Sequence, residues 1–351
     1  IANTNGLLAY DGAYWKLYPS HNNGALRSIS IGADNRIYTG GKAEFGYWEP
    51  QADGQLKYHS LSSQLDKALL KHDEIWKIIA NKESFYFQSF SKCYVYKNGK
   101  ISIMDGSGEP FLFTHKHQES LYIEKIPGGL HQVKDNKLYP LSHVLQNVYS
   151  ILNYDDARSL VATANAGLFL MDSRGIIEPW NIAITEELKE AKINNGLAIG
   201  NKYFAFGTIK NGIYIIDKKG KLIQHIHKAN GLQNNTVLSL HQDLQGNIWA
   251  GLDNGIDRIE INSFFNFYTD LQGDLGTVYA IKTFNNKIYL GTNQGLFVSQ
   301  WNKNNSYEKL IFKFVPQSHG QVWSLDVLQG QLICGHNEGT FLVADAGLRK
   351  I

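Results

Sequence analysis

Apolar residues in this chain fall into short runs of about 4–6 positions, alternating or wholly apolar, and polar turns rich in Gly, Asn and Asp separate them. That period of two predicts short β-strands, and the Asp-Gly, Asn-Gly and Gly-Asn pairs predict tight antiparallel connections. The clearest stretch opens with an apolar strand at Val237-Leu-Ser-Leu240 and turns at Asp243-Leu-Gln-Gly-Asn247. A second strand, Ile248-Trp-Ala-Gly-Leu252, follows, then a polar loop, then Gly255-Ile256 opening a third strand. Related copies begin at Leu26, Val148, Val278 and Val322.

The glycine that opens the third strand recurs at Gly6, Gly46, Gly129, Gly167, Gly212, Gly255, Gly295 and Gly339. Its mean spacing is about 42 residues once the single double-length gap is divided between two copies. The copy inside that gap, Phe85-Tyr-Phe-Gln88 with Cys93-Tyr-Val-Tyr96, lacks the glycine. Fourth strands are expected at 266–269 and at Ile311-Phe-Lys-Phe314. A four-stranded meander cannot bury both of its faces alone. Stacking it against the next copy does so, and closing the array leaves only short protected edges. The expected fold is therefore all-β, a β-propeller of seven or eight four-stranded blades. The whole of 1–351 is expected to form one propeller, with partial blades at 1–18 and 322–351. Two segments between copies, Ser62–Lys71 and Thr185–Lys192, have helix-forming composition and predict short connecting helices. Both ends interrupt the pattern, so the chain is expected to be a piece of a longer protein.

Composition narrows the chemistry. The 351 residues are 43% hydrophobic, 12% aromatic and 19% charged, the profile of a folded soluble chain. No apolar run is long enough for a membrane-spanning helix. A net charge of +2 gives no general attraction to nucleic acid. Two cysteines, Cys93 and Cys334, exclude a disulfide scaffold and a four-cysteine zinc site, and are expected to be small buried hydrophobes. His115-x-His117 and His225-x-His227 each put two imidazoles on one side of a strand, but without a further ligand set they are expected to be exposed strand polarity. No nucleophile elbow, phosphate-binding loop or zinc-protease motif occurs. Neither a metal nor a cofactor is expected, and no catalytic residue is assigned.

The stretch Ser239–Ile256 resembles the two-component regulator propeller repeat, and Gly6–Trp15 and Ile37–Trp48 resemble opening blades of the same sensors. That resemblance implies a periplasmic sensor region from a large signalling protein of the Bacteroidetes, often one recognising glycans. In the family a triple-tyrosine β-sandwich, a transmembrane helix and a histidine kinase or helix-turn-helix output follow the propeller. The membrane would be reached only through such a downstream segment. A homodimer is the candidate assembly.

In a propeller the loops joining the second strand to the third gather on one face. Here they are polar, and tryptophans stand beside them: Trp48, Trp76, Trp249 and Trp323. Amides, charges and flat aromatic faces together suit an oligosaccharide, whose hydroxyls need partners and whose C–H faces need a surface. The candidate ligand contacts are Lys42, Glu44, Trp76, Lys210, Asn254, Asn293 and Glu338. Trp249 is expected to pack between copies. A propeller lyase or hydrolase and a protein-interaction scaffold are the alternative readings.

Overall fold

A computed structural model of the chain describes every residue except 142–144, 262, 264–269, 271–272, 302–309 and 345–346. The expected strand at 266–269 lies outside the described residues. Among the described residues there are nine antiparallel sheets, seven of four strands and two of three, each in simple meander order. The all-β expectation holds, and so does the four-stranded repeat.

The chain divides into two compact units. The first is Ile1–Lys228 with Leu232–Asn262, and the second is Ala229–Gly231 with Ser263–Ile351. Seven sheets belong to the first unit. The opening one has three strands, Ala2–Asn3, Gly6–Tyr10 and Trp15–Pro19. The next six begin with the strands Leu26–Ile31, Lys77–Asn81, Phe111–His117, Val148–Asn153, Ile193–Ile199 and Val237–Gln242. Those first strands lie side by side in succession. The second unit holds two sheets, starting at Val278–Phe284 and Val322–Leu328. The last sheet is complete, because Gly347–Lys350 supplies its fourth strand.

Among the described residues, seven of the eight apolar clusters lie between two consecutive sheets. Leu160, Ala162 and Leu168 of one sheet meet Phe204, Phe206 and Tyr214 of the next. Tyr38 and Phe45 meet Phe85, Phe87 and Tyr94 in the same way. This is face-to-face packing of small sheets, the reason a 42-residue unit repeats at all. The two predicted helical segments form a 3₁₀ turn at Ser62–Gln64, helix α1 at Lys67–Leu70 and helix α2 at Thr185–Ala191. In α2, Leu188 and Ala191 face the cluster between their neighbouring sheets. Cys93 and Cys334 are fully buried, and burial pushes both thiols up, Cys334 to about 11.

The repeated glycine has a backbone cause. At seven of its eight positions φ is positive, from 73° at Gly212 to 150° at Gly295. Gly212 also has no room, since a Cβ there would stand 2.1 Å from the Ile226 carbonyl oxygen. Gly212→Ala is expected to cost about 2–4 kcal/mol, read as a lowered urea midpoint at unchanged slope. The copy without the glycine closes its loop differently. There the Ser89 hydroxyl accepts from the backbone N–H groups of Ser91 and Lys92.

Aromatic side chains also join the first and seventh sheets of the first unit. The Trp249 ring lies 6.0 Å from Tyr10 and 6.4 Å from Trp15, while its Nε1 donates to Asp243. Trp249 packs, as the sequence suggests.

Candidate functional site

The site begins with a backbone irregularity. In five of the six first strands that follow the opening sheet of the first unit, pairing slips by a residue or two just after the opening apolar residue. The skipped residues are Arg27, Leu112-Phe113, Tyr149, Asn194 and Leu238. In the remaining sheet Trp76 sits just ahead of the first paired residue, its N–H donating to the Gln88 carbonyl. A bulge turns one side chain away from the regular alternation, so each sheet offers a single re-aimed residue at the same end.

These residues meet across sheet boundaries. The Arg27 guanidinium lies 5.4 Å from the centre of the Trp76 ring, and its Nε donates to Glu74 at 2.7 Å. Trp76 stacks on Phe90 at 5.5 Å, Phe90 meets Phe113 at 6.2 Å, and Phe113 meets Tyr149 edge-on at 5.3 Å. Asn194 continues the line, its amide donating to the Val237 carbonyl of the following sheet. One row of mainly aromatic groups therefore crosses several consecutive sheets.

Two cavities open along the row. A space of about 560 Å³ is lined by Asp73, Glu74, Trp76, Phe90 and Glu109. A second, of about 260 Å³, is lined by Asn147, Tyr149, Asn165, Lys192, Asn194 and Ile209. The acids of the larger space are already engaged. Asp73 accepts from the Tyr94 and Ser91 hydroxyls, Glu74 pairs with Arg27, and Glu109 pairs with Lys125 at 2.6 Å.

Buried polar groups hold this edge in shape. The Glu124 carboxylate, 1% exposed, accepts from the N–H groups of Asn147 and Val148 at 2.7 and 2.8 Å. That pair of bonds sets the backbone immediately before Tyr149. Burial raises the Glu124 pKa, the two backbone bonds opposing it. His115 bonds through Nε2 to the Val148 carbonyl at 3.0 Å, tying the same segment to the preceding sheet. Thr163 and Thr208, both fully buried, donate to the Gly167 and Gly212 carbonyls and accept from Ala166 and Asn211. Each threonine closes one second-to-third-strand loop.

The sequence candidates fare differently. Trp76 lies in the row and lines the larger cavity. Lys42 is brought beside it, bridging to Glu74 through backbone pairing, with its side chain exposed. Glu44 faces its own sheet, where its carboxylate accepts from Tyr58 and Ser60 at 2.8 and 2.7 Å. Lys210 is exposed next to the smaller cavity, its N–H donating to the Ala191 carbonyl. Asn254 is exposed on a loop of the seventh sheet. Asn293 and Glu338 belong to the second unit. There the Asn293 Oδ1 accepts from Thr277 N at 2.7 Å, and the Glu338 N–H donates to His336. Trp48 is buried and bonded to Thr39, whereas Trp323 of the second unit is half exposed and stacks on Tyr279 at 4.7 Å.

Sequence reasoning missed Arg27, Phe90, Phe113, Tyr149, Asn147 and Lys192. A signal for three of them was present: the variable residue between the opening apolar residue and the next small one, as in Leu26-Arg-Ser and Val148-Tyr-Ser. The histidine reading also changes. His115 and His117 are buried rather than exposed, because they share the covered face of their strand, while Lys116 between them is exposed. His225 stacks on Tyr214 at 4.0 Å. Among the described residues no three His, Cys, Asp or Glu side chains are grouped to hold a metal ion.

Fold and site together define an all-β repeat protein of propeller-blade type with an aromatic, polar-rimmed row on one edge of its sheets. No family model and no curated protein matches the chain. Solved structures do match it. The extracellular domain of BT4673 from B. thetaiotaomicron is described as part of a one component system in one structure and of a hybrid two component system in another. It superposes with TM-scores of 0.57 and 0.56, at 18% identity over 98% of this chain. The match covers 49% of that domain, so this chain spans about half its length. At this identity the likeness establishes the fold.

Proposed function

We propose that this chain is an extracytoplasmic, periplasmic sensing region of a bacterial two-component-type regulator, and that it binds a glycan along the aromatic row. The observation that carries the reading is the row itself, Arg27-Trp76-Phe90-Phe113-Tyr149 with Asn194. It is built from one first-strand residue per sheet, with Phe90 from a loop of the Trp76 sheet linking Trp76 to Phe113, and is flanked by two cavities. Flat faces beside amides and charges match the alternating C–H and hydroxyl surfaces of successive sugar rings. The likeness to an extracellular domain of a signalling system supports the location and the role.

The seven sheets of the first unit form a closed propeller in this reading, with Tyr10, Trp15 and Trp249 as the seam. Closure gives the row a rigid frame. Occupancy then favours one arrangement of the sensor and shifts a pre-existing equilibrium toward the output module. No chemistry is assigned to this region.

An oligosaccharide array followed by titration calorimetry tests the reading. At least one glycan is expected to bind, and Trp76→Ala and Phe113→Ala are each expected to weaken it about tenfold with little change in melting temperature. A folded chain that binds no glycan overturns the reading.

A further inference from the structure

The two cavities differ in charge, and the smaller one points to a ligand class. Its wall carries Asn147, Tyr149, Asn165, Asn194 and Lys192, and no carboxylate. Among the described residues the Lys192 ammonium, the Tyr149 hydroxyl and the Asn165 amide have no hydrogen-bond partner. Lys189 nearby is already paired with Glu186 at 2.8 Å. Lys210 adds a second exposed cation, held beside the first because Ile209 and Lys210 donate to the carbonyls of Lys192 and Ala191. The nearest buried acid, Glu124, lies behind the wall with both oxygens occupied by backbone N–H groups.

The backbone is specialised at the same place. Lys192 has φ 61° and Asn147 has φ 57°. A helix end like that of α2 ordinarily carries glycine at such a position, and a lysine there bears strain that glycine would avoid. The lysine at this position supplies a cation to a wall of neutral donors.

We infer that the cavity around Lys192 is a subsite for an anionic sugar ring, one bearing a carboxylate or a sulfate. The inference rests on the glycan reading above and gives it a substrate class. The volume of about 260 Å³ suits a single ring. Lys192 meets the oxyanion, Asn165 and Asn194 meet hydroxyls, and Tyr149 offers its face. The larger cavity, whose acids and bases are paired with one another, takes a neutral neighbouring ring.

The test uses the chain as it stands, titrated with D-glucuronate, D-glucose 6-sulfate and D-glucose and followed by saturation-transfer NMR. An acid sugar is expected to bind about tenfold more tightly than glucose, the difference between a charge-assisted and a neutral hydrogen bond. The advantage is expected to shrink as salt is raised. The glucuronate and sulfate arms tell a carboxylate site from a sulfate site. Lys192→Met keeps a non-glycine residue at the same φ and is expected to erase the advantage while glucose binding stays. Lys192→Arg is expected to retain it. Equal affinity for acid and neutral sugars, or an advantage that survives Lys192→Met, overturns the inference and leaves the glycan reading standing. That reading fails separately, on the array.

Discussion

Phe87→Ala is expected to lower the unfolding free energy by about 3–5 kcal/mol, the largest single-residue loss in the first unit. Phe87 has no solvent exposure and sits where two sheets meet. Its ring lies 4.5 Å from Phe45 and 6.2 Å from Tyr38, and Phe45 in turn lies 5.3 Å from Tyr94. Removing it opens a void walled by aromatic rings that are themselves fixed by hydrogen bonds. The Tyr94 hydroxyl donates to Asp73, and the Tyr38 hydroxyl donates to Asp34 at 2.9 Å. Such walls collapse poorly, so the cost falls at the high end. Phe87→Leu, which keeps much of the volume, is expected to lose no more than about half as much. Urea titration of the three proteins checks this, and an alanine variant within about 1 kcal/mol of the parent contradicts the packing described.

Acidification is expected to destabilise the protein as pH falls from about 6.5 toward 3, with His115 as the main cause. Burial, with a smaller contribution from Lys77, holds its pKa down at about 3, while the Val148 hydrogen bond opposes the shift. The folded imidazole stays neutral over a range in which the unfolded one gains a proton. Its stabilising contribution is therefore whole above the unfolded pKa and is lost as pH drops through the folded one, at up to about 1.4 kcal/mol per pH unit. Glu124 acts in the other direction. Its raised pKa means that folded protein keeps a proton that unfolded chain releases, so its contribution is whole below the ordinary glutamate value and fades as pH rises past it. Urea midpoints measured across this range should fall on the acid side for both proteins but less steeply for His115→Gln, since His117 and carboxylates held low, such as Asp243 and Asp172, also lose their contributions there. Equal slopes for the two would remove His115 from the account.

How much of this was legible in advance depends on the range of the interaction. The strands, the turns, the 42-residue unit and both short helices were readable because each is set by residues close in sequence. The repeated glycine was visible for the same reason, and its positive φ is a local requirement. Trp76 could be named because tryptophan beside a polar loop is a sequence pattern. Glu44 looked equally eligible, yet its carboxylate bonds to Tyr58 and Ser60 on the next strand of its own sheet. The four-strand assignment of the C-terminal piece was missed because Gly347–Lys350 is short and only two of its residues are buried.

By itself, then, the amino-acid order determined an all-β chain of repeated meanders whose faces must be covered by one another, since alternation and turn chemistry operate over a few residues. The tertiary structure alone decided which side chains share a site. Arg27, Trp76, Phe113 and Tyr149 are separated by 36 to 49 residues along the chain and line up only because they occupy the same end of successive first strands, three of them at bulges, with Phe90 bridging Trp76 and Phe113. It also decided that Lys192 faces neutral amides rather than acids, because a helix end and two loops from different sheets converge there.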